Sequence, residues 1–95
     1  MEFLVRIEIR VPADIDADEE ARVRAAELAR GQELRAAGIL RRVWRVPGRR
    51  ANWSLYECAD ASELHEVLNS LPMWPWLDIE VHPLAMHPLE DAAPR

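Results

Sequence analysis

The segment that best identifies the architecture is Leu71-Pro72-Met73-Trp74-Pro75-Trp76-Leu77-Asp78-Ile79-Glu80-Val81. Each proline fixes φ and pushes the residue before it towards extended backbone, so the first half predicts a stiff, non-helical bend. The alternation of apolar and acidic residues in the second half predicts a strand with one buried face. The bend presents Trp74 and Trp76 as large flat surfaces, which suits a pocket rim or a subunit contact.

Working outward from this strand, the remaining sequence predicts three more strands and two helices. The predicted elements are a strand over 3–11, a helix over about 18–37, strands over 39–46 and 53–58 joined by the Pro47-Gly48 turn, a helix capped by Asp60 with Glu63 in a capping-box position, and the strand over 77–82. This β-α-β-β-α-β order predicts an α+β domain of the ferredoxin-like type, an antiparallel sheet with two helices on one face.

The predicted strands carry apolar residues on both faces of the sheet, among them Leu4, Val43, Trp53 and Leu55. The helices cover only one face, so the other face needs a second cover. A second subunit that packs sheet to sheet is the simplest cover, and we therefore expect a dimeric α/β-barrel type of association.

Length and composition favour one small globular domain. The 95 residues divide into a domain over 1–88 and a polar C-terminal tail over 89–95. The alternating N-terminus is unlike a signal peptide, and the single cysteine, Cys58, is consistent with a reducing cytoplasm. The net charge of −5 argues against nucleic-acid binding, and no apolar run is long enough to cross a membrane. Because all 12 basic residues are arginines, an anionic ligand must be held by arginine, histidine or backbone N–H groups.

Glu27 is the carboxylate in the first helix that most suggests chemistry. Val23, Glu27, Arg30 and Leu34 share one side of that helix by their spacing. Burial among apolar neighbours would raise the pKa of Glu27, which suits a proton shuttle near neutral pH. The alternative is a solvated glutamate paired with Arg30 or Arg24, because the helix has a second apolar stripe. That stripe consists of Ala21, Ala25, Leu28 and Ala29.

An arginine cluster surrounds the predicted hairpin. Its members, with a tryptophan among them, are Arg41, Arg42, Trp44, Arg45, Arg49 and Arg50. Strand alternation places Arg41 and Arg45 on one face and Arg42 and Trp44 on the other. An arginine beside a cleft binds a carboxylate through two parallel hydrogen bonds, but a solvated basic edge is the alternative. Asn52 suits either a turn or a contact to a ligand carbonyl, and the three histidines lack the spacing of a zinc site.

At these residues the chain resembles the muconolactone Δ-isomerase family, over about residues 1–88. The landmarks that carry the resemblance are Val11-Pro12, Gly38, Arg41, Val43-Trp44-Arg45-Val46-Pro47-Gly48, Ala51-Asn52-Trp53-Ser54, Glu63-Leu64-His65, the segment over 71–81, and His87-Pro88. The resemblance implies a small cytoplasmic isomerase of the β-ketoadipate pathway for aromatic (catechol) breakdown. It also implies a ferredoxin-like fold, a homo-oligomer built from dimers, typically a decamer, and no metal or organic cofactor.

The resemblance further implies how the site acts on its substrate, a small lactone carboxylate. Glu27 would be the catalytic proton shuttle and Arg45 its catalytic partner, with Arg41 and Asn52 binding the substrate. Four tryptophans would wall the pocket and exclude water, namely Trp44, Trp53, Trp74 and Trp76.

Departures from the family pattern at Arg49-Arg50 and at the tryptophans leave substrate identity open. The alternatives are a paralogue that acts on a substituted or chlorinated lactone, such as a dehalogenase, or a non-catalytic oligomer that binds small ligands.

Overall fold

The structure, a computed structural model, describes residues 1–91 of the chain. Its elements are β1 (Glu2–Ile9), α1 (Ala17–Ala36), β2 (Leu40–Arg45), β3 (Ala51–Glu57), α2 (Ala61–Asn69), a short 3-10 helix (Trp74–Trp76), β4 (Leu77–Leu84) and α3 (Pro88–Asp91). In this described part, no helix is long and apolar enough to cross a bilayer. The order of the four strands and of α1 and α2 confirms the predicted β-α-β-β-α-β arrangement.

The four strands form one antiparallel sheet in the order β2-β3-β1-β4. The central strand, β1, pairs with β3 on one side and with β4 on the other, so Val5 lies beside both Ser54 and Val81. The pairing of β2 with β3 contains a register shift between Leu40 and Arg42. This sheet order and the helices packed on it confirm the ferredoxin-like α+β fold.

The core lies between the helices and one face of the sheet, called here the inner face. β1 buries every second residue, as its alternation predicts. The largest fully buried side chains are Phe3, Leu34, Leu64 and Val5, which come from β1, α1 and α2. Because both helices contribute to this single cluster, both lie on the same face of the sheet.

Two aspartate N-caps and one glycine fix the helix ends. Asp16 accepts a hydrogen bond from the Glu19 N–H at 3.1 Å and begins α1, and Asp60 does the same for the Glu63 N–H at 2.9 Å and begins α2. After α1, Gly38 adopts a positive φ of 76°, a conformation that glycine adopts without strain. The cap predicted at Asp60 is confirmed.

Several boundaries differ from the sequence-based expectation. β1 ends at Ile9 instead of Val11, and β4 continues to Leu84 instead of ending at His82. β3 begins at Ala51, two positions before the predicted start at Trp53, because the Pro47-Gly48 turn brings Ala51 into pairing range of β1. The predicted polar tail over 89–95 begins inside α3, which spans Pro88–Asp91. Residues 92–95 of that tail lie outside the described residues.

The opposite face of the sheet, called here the outer face, carries apolar and aromatic side chains as well. Trp44 and Trp53 are cross-strand partners on it, and β1 adds Leu4. Arg42 lies over the Trp44 ring, with its guanidinium carbon 5.2 Å from the ring centroid. Trp44 remains 42% exposed, so this face is incompletely covered within one chain.

Candidate active site

A cavity of about 460 Å³ lies between α1 and the inner face of the sheet. α1 contributes Glu27, β2 contributes Arg45, and the bend after α2 contributes Met73. β3 adds three polar residues on successive inward positions, Asn52, Ser54 and Tyr56. The cavity therefore combines an apolar wall with one carboxylate, three guanidinium groups, two amides and two hydroxyl groups; α1 supplies the other two arginines, Arg24 and Arg35, and the second amide, Gln32.

Glu27 is half-buried on the inward side of α1, and its environment suits a base with a raised pKa. Burial raises the pKa of Glu27, and a hydrogen bond from the Met73 N–H partly opposes that rise. The neighbouring arginines are engaged elsewhere, since Arg24 binds Glu20 at 2.9 Å and Arg30 binds the Ser70 hydroxyl at 3.0 Å. The alternative of a solvated Glu27 paired with Arg24 or Arg30 is therefore wrong.

The Pro/Trp bend fixes one oxygen of the Glu27 carboxylate. The Met73 N–H donates to Oε1 of Glu27 at 3.0 Å, across 46 positions of sequence. The bend itself is held by the N–H groups of Trp74 and Trp76, which donate to the carbonyls of Leu71 and Met73 at 2.9 and 2.7 Å. With Oε1 anchored, Oε2 is the oxygen left to exchange a proton with a ligand. Leu71 and Met73 line the cavity, so this bend forms part of the rim.

Arg45 and Asn52 are cross-strand partners at one end of the cavity. The Ser54 hydroxyl donates to Oδ1 of Asn52 at 2.9 Å, and Ser54 is only 3% exposed. Because Oδ1 is occupied, the Asn52 amide NH₂ is the end available to a ligand. Arg45 and Asn52 therefore supply hydrogen-bond donors to the same cavity as the carboxylate of Glu27.

Tyr56 adds a buried phenol to the same cavity. Burial, with a smaller contribution from the charge of Glu27, raises the pKa of Tyr56 to about 12. Tyr56 therefore stays protonated at neutral pH and keeps an O–H donor. Ser54 and Tyr56 did not stand out in the sequence, although their period-two spacing from Asn52 puts all three on one face of β3.

The structure brings Glu27, Arg45 and Asn52 to one cavity and leaves three other predicted site residues of the sheet away from it. Trp44 and Trp53 project from the outer face, because each is adjacent in sequence to a residue that faces inward. Arg41 occupies the register shift of β2 and is exposed, so strand alternation no longer aligns it with Arg45. None of the three lines the cavity of its own chain.

The tryptophans of the bend also lie outside the cavity lining. Trp74 packs against the core and meets His65 edge to face, with ring centroids 6.2 Å apart. Trp76 is partly buried at the end of the 3-10 helix. The substrate-binding roles assigned to Trp74 and Trp76 stay predictions.

Potential metal ligands are scattered. Over residues 1–91, no group of three or more histidine, cysteine, aspartate or glutamate side chains is arranged to hold a metal ion. Cys58 is buried, and burial raises the pKa of its thiol to about 11. His82 contacts Glu80 at 2.7 Å on the exposed part of β4, far in the sequence from the cavity residues of α1.

The fold and cavity define a small α+β site whose half-buried carboxylate and neighbouring arginines suit proton transfer on an anionic organic molecule. Comparison with known sequences is consistent with that class: the profile described as muconolactone delta-isomerase matches residues 1–90. The chain belongs to the muconolactone delta-isomerase family.

Relatives and solved structures support this assignment over nearly the whole chain. The muconolactone Delta-isomerase 2 of Acinetobacter lwoffii is 39% identical over 87 residues, which cover 92% of this chain and 91% of the relative. The muconolactone Delta-isomerase of Pseudomonas aeruginosa is 36% identical, covering 93% and 92%. A crystal structure of muconolactone isomerase aligns with a TM-score of 0.87 at 35% identity, covering 93% of this chain and 92% of that one.

A more distant structure shares the fold. It is a 5-chloro-2-hydroxyhydroquinone dehydrochlorinase from Burkholderia phenoliruptrix, with a TM-score of 0.70 at 17% identity, covering 94% and 98% of the two chains. At that identity the likeness shows a common fold and carries no activity to this chain.

Proposed function

We propose that the protein isomerises muconolactone to 3-oxoadipate enol-lactone in the breakdown of aromatic compounds. The observation that carries this proposal is the half-buried carboxylate of Glu27, tied to the Met73 N–H and facing a cavity shared with Arg45. Family membership supplies the substrate, since the relatives are named for muconolactone. The reaction moves a C=C bond within the lactone ring, which requires the removal of one proton and the return of one proton.

In the proposed reaction, Glu27 performs both proton transfers. Oε2 takes the proton from the ring carbon that bears the acetate arm, and the electron pair of that C–H bond delocalises into a dienolate. The carboxylic acid then returns a proton to the carbon next to the lactone carbonyl, so atoms and electrons balance. A raised pKa supports both steps. It makes the carboxylate a stronger base, and it moves the pKa of Glu27 in the direction of the neutral working pH.

Arg45 and Asn52 are proposed to hold the two polar ends of the substrate. The guanidinium of Arg45 pairs with the carboxylate of the acetate arm. The free NH₂ of Asn52, oriented by the Ser54 hydroxyl, donates to the lactone carbonyl oxygen, where negative charge develops in the dienolate. This arrangement leaves the Glu27 side of the ring free for proton transfer.

Other proposed site residues would need a neighbouring subunit to reach a substrate. The chain's own cavity is lined without Arg41, Trp44, Trp53, Trp74 or Trp76. Their substrate-binding roles are therefore proposed only for an assembly in which one subunit's residues approach another subunit's cavity.

We also propose that the protein works in the cytoplasm as a homo-oligomer built from dimers, with a decamer as the expected size. The aromatic patch of the outer face supports a dimer, because Trp44 is 42% exposed there and lies beside Trp53. Sedimentation velocity tests the assembly. A decamer is expected, and a monomer at micromolar concentration would contradict it.

The test of the proposed reaction uses the purified full chain and muconolactone. The loss of substrate is followed by ultraviolet absorbance, and proton NMR identifies the position of the C=C bond in the product. We expect turnover that yields the enol-lactone. A folded protein that leaves muconolactone unchanged would refute the proposed function.

A further inference from the structure

A second cavity, of about 410 Å³, lies beside the active-site cavity and is called here the arginine annex. The two cavities share Arg24, Val43, Arg45 and Asn52, so the annex is continuous with the proposed site for the substrate's acetate arm. Of the two shared arginines, Arg24 already pairs with Glu20 at 2.9 Å. The far side of the annex is formed by Arg49 and Arg50, from the turn between β2 and β3. The site therefore has room and positive charge beyond the residue that holds the first carboxylate.

Much of the positive charge in the annex lacks a counter-charge. Arg49 lies 3.6 Å from Glu8, but that carboxylate also binds Arg6 at 3.2 Å and Arg10 at 2.9 Å. Within residues 1–91, Arg50 and Arg45 take part in no ion pair. Although the whole chain carries a net charge of −5, four arginines line this one cavity, and within the described part of the chain no acidic residue lines it.

The backbone that carries the annex arginines is held in place on two sides. The Ile9 N–H of β1 donates to the Arg50 carbonyl at 2.8 Å. Across the turn, the Val46 N–H donates to the Ala51 carbonyl at 3.0 Å, and the Arg49 N–H donates to the Val46 carbonyl at 3.2 Å. Because the turn is already anchored, a ligand that binds there loses less free energy to ordering the backbone.

We propose that the arginine annex binds a second carboxylate, carried by the same molecule whose first carboxylate pairs with Arg45. The preferred ligands of this site are therefore dicarboxylates, and the preferred substrate is a lactone with an acidic substituent in addition to its acetate arm. This inference rests on the proposed function for the position of the first carboxylate. Arg50 is the residue expected to determine the preference, because it lines the annex and takes part in no ion pair within residues 1–91.

The test compares dicarboxylates with monocarboxylates of equal chain length. The probes are glutarate, adipate and pimelate against pentanoate, hexanoate and heptanoate, measured by isothermal titration calorimetry on the full chain at low ionic strength. Low salt is used because screening weakens exposed ion pairs. We expect the best dicarboxylate to bind about tenfold more tightly than its monocarboxylate, as one additional charged hydrogen-bonded pair provides.

Two variants distinguish the effect of the annex on binding from the effect of the protein's overall charge. Arg50→Gln should reduce the dicarboxylate preference to less than about threefold. Arg22→Gln removes an equal charge from an exposed position of α1 and should leave the preference unchanged. Thermal melting of both variants verifies that each is folded.

Three outcomes would overturn the proposal: equal binding of both acid classes, an unchanged preference in Arg50→Gln, or no measurable binding of any dicarboxylate. Muconolactone turnover by the same wild-type preparation is recorded separately. Turnover without dicarboxylate preference refutes the annex alone, whereas the absence of turnover refutes the proposed function.

Discussion

Replacement of Arg45 by glutamine should weaken substrate binding and leave the chemical step almost intact. Arg45 is exposed, lines the same cavity as Glu27, and forms no ion pair among residues 1–91. Its removal therefore leaves no buried charge without a partner, and the free energy of unfolding should change by less than about 0.5 kcal/mol. The charge of the substrate's acetate arm is the same before and during proton transfer, so its binding contributes equally to both states.

The size of the effect follows from the kind of contact that is lost. A hydrogen bond between charged groups contributes about 1.5–3 kcal/mol, and each 1.4 kcal/mol corresponds to about tenfold in affinity. The KM for muconolactone should thus rise by about ten- to a hundredfold, while kcat changes by less than about threefold. Arg45→Lys keeps the charge but loses the paired geometry of the guanidinium, so its KM should rise by a smaller factor.

Steady-state kinetics over a wide range of muconolactone concentrations measures this effect. Arg22→Gln is the matched control, because it removes an equal charge from an exposed position of α1 that lines neither cavity. A hundredfold loss of kcat in Arg45→Gln with an unchanged KM would refute the reasoning. That result would mean that Arg45 acts on the charge that develops in the dienolate.

Three further outcomes follow from the site. The acidic limb of the kcat/KM profile should have its midpoint above pH 4.5, the ordinary value for a glutamate, because burial raises the pKa of Glu27; a midpoint at or below that pH would contradict the role of burial. A carboxyl group whose pKa is raised by folding stabilises the fold below its unfolded pKa, and this stabilisation is lost as the pH rises through the folded pKa. Glu27→Gln, whose amide oxygen still accepts from the Met73 N–H, should therefore melt at or above the wild-type temperature at pH 8, and a lower melting temperature would count against a destabilising charge. Ser54→Ala should lower the free energy of unfolding by about 1 kcal/mol, or the melting temperature by roughly 4–8 °C, because it removes the buried hydrogen bond to Asn52. It should also lower kcat, and a loss of the same size in an Asn52→Ala background would exclude a role in orienting that amide.

Much of the fold follows from local patterns in the chain. Period-two alternation identified β1 and β4, and aspartates marked the starts of both long helices because their side chains accept from free N–H groups there. The candidate base could also be predicted from the sequence, because helical spacing puts Glu27 on the same side of α1 as the buried Leu34.

The details of the site depended on contacts that local patterns do not contain. The hydrogen bond from Met73 to Glu27 joins residues 46 positions apart, so only the packing of α1 against the bend creates it. The position of Arg41 depends on the register shift in β2. No glycine or other turn residue lies at that point of the strand, so the sequence does not predict the shift.

The tryptophans illustrate a different difficulty, because bulk and aromatic character suggest a pocket wall but do not say which face a residue occupies. Strand alternation puts Trp44 and Arg45 on different faces of the sheet, and it separates Trp53 from Asn52 in the same way. The family landmark and the cavity lining therefore overlap only in part: the arginine and the asparagine face the cavity, and the adjacent tryptophans face outward.

The central claim is that the carboxylate of Glu27 carries the proton, and the turnover of Glu27→Gln with muconolactone tests it most directly. Glu33→Gln is the control, because it makes the same chemical change at an exposed position of the same helix. With both variants shown to be folded, kcat of Glu27→Gln should fall by about 10²–10⁴-fold, and kcat of Glu33→Gln should stay within about twofold of wild type. A folded Glu27→Gln that retains more than about a tenth of the wild-type kcat would contradict the claim.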